Sequence, residues 1–175
     1  MPARRRRPNH IRSDGFTSIE LVLVVAITSV FVALAVSTYR AYSARAQIAT
    51  SVEETAAVQR LVVAAFKSNG TPPLDAAAAG IDETARVLLA GTYVESLGVL
   101  NGRIELRFGT SAHPAIAGKT LSLTPFETVE EDVVWVCGNA PPGVGLEPLG
   151  FAGGTLQAAQ VPTSIEDRYL PPWCR

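Results

Sequence analysis

Residues 21–36, LVLVVAITSVFVALAV, carry no charge, no proline and no glycine. With FTSI before them, the apolar span from Phe16 to Val36 is interrupted only by Glu20 and small hydroxyls. A helix over that span rises about 31 Å, the thickness of a bilayer core. The helical pattern then changes character without stopping. From Ala41 to Phe66 there is no glycine or proline, and Ile48, Val52, Val58, Leu61, Val62, Ala65 and Phe66 recur at helical spacing. Arg45, Glu53, Glu54 and Arg60 fall between them. Asn69-Gly70 supplies a stop, and Pro72-Pro73 prevents resumption. The pattern predicts one continuous helix of about 54 residues, near 80 Å long. Its first half is apolar all round and its second half amphipathic, so a folded domain is expected to pack on the second half only.

Residues 74–92 form a loop with one short helix around Glu83–Leu89. A hairpin signal follows in YVESLGVLNGRIELRFG, where Asn101-Gly102 is the favoured type I′ pair. Ile104, Leu106 and Phe108 alternate with Arg103, Glu105 and Arg107, which predicts one buried and one wet face. GKTLSLTPF and DVVWVCG give two more strands. Together they make an antiparallel meander of four strands, too small to stand alone, with one face on the amphipathic half of the helix. Beyond Cys137 the chain is rich in glycine and proline and is expected to form an ordered loop.

Charge orients the apolar span. Of 15 basic and 16 acidic residues, Arg4, Arg5, Arg6, Arg7 and Arg12 precede Gly15, with only Asp14 against them. The remainder is acidic, with a net charge of about −5. A nucleic-acid binder would show a basic folded part, so nucleic acid is not an expected partner. The arginine run instead suits a cytoplasmic anchor, with the rest of the chain outward. A secretory signal peptide would have a shorter apolar core and a small-x-small cleavage site after it. A plain single-pass anchor fits the run but leaves the DGF sequence and Glu20 unexplained. A carboxylate beside hydrocarbon or a packed core is costly.

The two cysteines, Cys137 and Cys174, both fall outside the cytoplasm in this orientation, where thiols pair. The bridge would tie the C-terminal loop to the last strand. A metal site would need more ligands, and His113 is the one histidine after residue 15. The same scarcity argues against Ser-His-Asp hydrolysis, and His113-Pro114 is expected to be a solvated turn. The acidic run Glu127 to Asp132 lacks the ligand order of a calcium loop and is expected to be a solvated connection. Asn69-Gly70-Thr71 fits a glycosylation pattern but serves equally as a helix stop. No phosphate-binding loop and no cofactor signature is present.

GFTSIELVLVVAI resembles the N-terminal signature of type IV pilins. In that family a prepilin peptidase cuts after the glycine, the new N-terminal phenylalanine is N-methylated, and a glutamate occupies the fifth mature position. The matching residues are Gly15, Phe16 and Glu20. YRAYSARAQI, the hairpin segment, GKTLSLTP, VVWVCG and the terminal YLPPWCR are similar to bacterial fimbrial pilins. The resemblance implies an α+β pilin fold: a long N-terminal helix on a four-stranded antiparallel sheet, with a disulfide-closed C-terminal loop. It also implies a role for Glu20, neutralising the α-amino group of Phe16 in a neighbouring subunit within the fibre core. The local alternative is a capping box, in which Thr17 and Glu20 satisfy the first free N–H groups. This chain carries Ser29 and Ser37 where many pilins have glycine and proline, and its segment before Gly15 is longer than the usual leader.

The expected organisation is a leader over 1–15, a transmembrane and assembly helix over 16–40, and a globular domain over 41–175. The expected function is a structural type IV pilus subunit, not an enzyme, serving motility, adhesion or DNA uptake. Its expected partners are other copies of itself in a helical homopolymer, prepilin peptidase, the inner-membrane assembly machinery, and membrane lipid before export to the cell surface. A minor pilin or a type II secretion pseudopilin would share the helix, and a membrane-anchored binding module would keep it uncleaved.

Overall fold

The computed structural model describes residues 15–84, 86, 91–151 and 156–175. The arginine run lies outside the described residues. So does much of the expected helix around Glu83–Leu89, of which Glu83, Thr84 and Arg86 are helical. The chain divides into two compact units, Met1–Thr38 and Tyr39–Arg175.

Two helices replace the single one expected: α1 (Ser18–Glu54) and α2 (Ala56–Asn69). The interruption is at Thr55, which is fully buried. Its N–H and its hydroxyl both donate to Val52 O, at 3.2 and 2.7 Å. A bond three residues back tightens the turn, and a hydroxyl competing for a helix carbonyl deforms it. The ladder resumes with Gln59 N–H on Thr55 O at 2.9 Å. The C-terminal stop is as expected: Gly70 takes a left-handed φ of 70° and donates to Phe66 O.

The stripe that these helices bury also differs in detail. It runs Ala44, Ile48, Ser51, Thr55, Val58 and Val62, in alternating steps of three and four. Leu61, expected inside, is 38% exposed.

The sheet follows the order β1 (Val94–Leu100), β2 (Arg103–Phe108), β3 (Thr120–Glu127), β4 (Val133–Cys137), all antiparallel. Asn101 and Gly102 both take positive φ, 50° and 79°, as a type I′ hairpin requires. Ile104 lies between Val99 and Leu123, and Leu106 between Leu97 and Leu121. These residues join Ala44, Ile48, Val58 and Val62 in one apolar core. Each such aliphatic side chain contributes about 1.5–3 kcal/mol by leaving water.

The second face of the sheet departs from expectation. Six consecutive residues of β3, Leu121 to Phe126, are buried, so neither face of that strand is wet. The glycine- and proline-rich tail covers it. A two-residue strand, β5 (Glu147–Pro148), pairs with Phe126 and Glu127. Ser122 Oγ donates to Val161 O, and Ser164 N–H to Thr120 O. Arg103, expected on the wet face, is 8% exposed and donates through Nη1 to Ala159 O at 2.8 Å.

Cys137 and Cys174 form a disulfide, with Cα atoms 4.6 Å apart. Asn139 N–H donates to Cys174 O beside it, and Gln160 Nε2 donates to Gly138 O and Ala140 O. Gly138 has φ 58°, and a side chain there would meet Cys174 O. A bridge closing a segment of this length stabilises by roughly 2–4 kcal/mol. Cys174→Ser is therefore expected to make residues 139–173 protease-sensitive while the helices and β1–β4 persist. Limited proteolysis with mass mapping checks it, and a resistant tail in the variant contradicts it.

His113, expected in a solvated turn, is half-buried and tied to α1. Its N–H donates to Gln47 Oε1, and its Nδ1 accepts Ala115 N–H at 3.2 Å. The loop before β3 is thereby fastened to α1. Arg45 fastens the tail similarly, donating through Nε and Nη2 to Arg168 O.

Candidate functional site

The N-terminal unit places the sequence-predicted site residues one after another along a helix start. Gly15 and Phe16 precede α1, and Phe16 is 77% exposed. Among the described residues nothing stands within 4 Å of where a Gly15 side chain would project. Thr17 caps the helix: its carbonyl accepts Leu21 N–H, and its Oγ1 accepts Glu20 N–H at 3.3 Å. One half of the capping box is thus formed. The Glu20 side chain is exposed and has no hydrogen bond or ion pair among the described residues. Among the described residues its carboxylate is free.

Past Glu20 the surface is apolar on every side. Leu21 to Val25, Ile27, Val30, Phe31, Val32, Leu34 and Val36 are all exposed. The helix is long and apolar enough to cross a membrane by length and composition. Three of its hydroxyls do not spoil that surface. Thr28 Oγ1 donates to Val24 O, Ser29 Oγ to Ala26 O, and Thr38 Oγ1 to Leu34 O. Each polar hydrogen is spent inside its own helix, as an apolar surrounding requires. The helix is unbroken at Ser29 and at Ser37, where glycine and proline would bend it. An exposed apolar surface this large marks an interaction surface.

The residues 39–175 unit brings Cys137 and Cys174 together, far along the chain from Glu20. Sequence reasoning did not find the roles of Arg45, Gln47, Arg103 and Thr55. All four act by meeting backbone that is remote or locally distorted, and a linear pattern carries no signal for that. Among the described residues no cluster of His, Cys, Asp or Glu is arranged to hold a metal ion.

The pilin family profile, describing a bacterial filament protein, matches residues 44–175. The chain is 30% identical to a fimbrial protein of Neisseria meningitidis serogroup B, over 92% of this chain and 93% of that one. It is 29% identical to the type IV major pilin protein PilE of Neisseria gonorrhoeae, over the same shares. Similarity extends to fimbrial protein Q of Moraxella bovis, 31% identical over 74% of this chain and 89% of that one. A match over most of the globular unit, with relatives aligned across nearly the whole length, places this chain in the pilin family.

Proposed function

We propose that this chain is the structural subunit of a type IV pilus, cut between Gly15 and Phe16 by a prepilin peptidase, methylated on the new Phe16 amine, and polymerised through the first half of α1. The observation that carries this reading is the exposed apolar surface from Leu21 to Val36, attached to a folded unit with its own complete core. Before assembly that surface sits in inner-membrane lipid, with the folded unit outside the cytoplasm. In the fibre, packing of many copies replaces lipid by neighbouring helices. Assembly machinery in the inner membrane makes that exchange, and the product is an extracellular fibre.

In this reading Glu20 pairs with the Phe16 amine of a neighbouring copy. The free carboxylate at the helix start supports that role, because nothing among the described residues satisfies it. The test is electron microscopy of fibres sheared from cells expressing the chain, with mass spectrometry of the fibre subunit. Fibres dominated by a chain that begins with N-methylated Phe16 are expected. Absence of the chain from the fibres, or its presence only as the uncut form, overturns the reading.

A further inference from the structure

Two surface features of the residues 39–175 unit take no part in packing through the first half of α1. The first is the turn between β3 and β4. Thr128 N–H donates to Asp132 O, Glu131 N–H to Thr128 O, and Asp132 N–H to Thr128 Oγ1, at 2.9, 3.0 and 3.1 Å. The turn is thus held in one shape. At its tip Val129 is 91% exposed, followed by the exposed carboxylates of Glu130, Glu131 and Asp132. None of the three forms an ion pair among the described residues.

The second is a groove of about 470 Å³ between the outer face of α2 and β4. Its floor includes Ala56, Val63, Ala64 and Trp135, and Arg60 and Lys67 stand at it as cations. These two lie seven residues apart, on one helix face and about 10 Å apart along the axis. Neither has an ion-pair partner among the described residues. Lys67 also borders the cleft beside its own chain's turn, yet it pairs with none of that turn's carboxylates.

We propose that the Val129 turn of one copy seats in the α2–Trp135 groove of another, with Val129 on the apolar floor and Glu130 and Asp132 facing Arg60 and Lys67. The occupant is a second copy of this chain because the features complement each other in kind: an apolar knob among acids, and an apolar groove between bases. The proposal rests on the fibre-subunit reading and adds a contact between folded units to the packing of their helices. Knob and groove are made of different residues, so the contact can run head-to-tail from copy to copy, as a propagating fibre requires. Charge pairs at such a contact set register and partner choice more than affinity.

The experiment measures sheared-fibre yield from the full-length chain, alongside the amount of cut, disulfide-bonded subunit in the membrane. Arg60→Glu with Lys67→Glu is expected to lower fibre yield about tenfold, because like charges then meet at every repeat. Adding Glu130→Lys and Asp132→Lys to the same chain is expected to restore it. Unchanged yield in the first variant, or no restoration in the second, overturns the proposal. Should the charge-reversed subunit fail to accumulate, Val129→Asp decides, since that tip carries none of the core. It is expected to lower yield as well, and wild-type yield from it overturns the proposal. Lack of fibres from the unaltered chain would instead overturn the fibre-subunit reading.

Discussion

Glu20→Gln is expected to leave a stable, cut, membrane-held subunit and few or no fibres. Glutamine keeps the shape of the side chain and serves at the third position of a capping box. The cap itself survives in any case, because the bond observed runs from the Glu20 backbone N–H to Thr17 Oγ1. Folding of the residues 39–175 unit is unaffected, since its core contains nothing from the start of α1. What changes is charge. In the proposed fibre a Phe16 amine faces Glu20 of another copy among apolar side chains. Removing one partner of a buried ion pair costs about 3–5 kcal/mol, chiefly by stranding the other charge. Repeated at each subunit, the loss stops growth. Fibre yield, together with N-terminal sequencing of the membrane pool, measures it. Full yield with normal cutting would reduce Glu20 to a cap.

A comparably large effect is expected from Gly15→Val, at the step before assembly. Phe16 and Thr17 lie ahead of the first helical residue, Ser18, so a non-helical stretch separates Gly15 from α1. Glycine lets backbone at such a point approach an enzyme closely, while a β-branched side chain crowds it and restricts its conformation. Among the described residues the space about Gly15 is open, so the variant meets no clash with them. In the proposed reading the defect arises in recognition by the peptidase. Full-length precursor is expected to accumulate in the inner membrane, and fibres to be lost. Normal-sized subunits in fibres of the variant would place the cut elsewhere.

Sequence alone determined the elements whose cause is local. The uncharged run from Leu21 to Val36, without proline or glycine, specifies a helix that is apolar on every side. Asn69-Gly70 ended α2 because glycine adopts the left-handed conformation at no steric cost. Asn101-Gly102 set the hairpin for the same reason, and the alternation of Ile104, Leu106 and Phe108 set its buried face. Pairing of Cys137 with Cys174 was legible because there were only two cysteines to join.

Tertiary structure decided whatever depended on residues distant in sequence. Arg103 reads as a wet position by alternation, yet it is buried because residue 159 brings a carbonyl to it. Both faces of β3 are dry because Glu147, Pro148, Val161 and Ser164 of the tail meet the strand, and a stretch of glycine and proline has no period to announce that. The break at Thr55 left no signal in the sequence either: exposed Thr28 makes the same kind of bond to a helix carbonyl and α1 runs on through it, whereas fully buried Thr55 holds Val52 O where the ladder is interrupted. Local patterns report what a residue prefers beside its chain neighbours, whereas burial and hydrogen-bond partners depend on which distant backbone arrives to cover it.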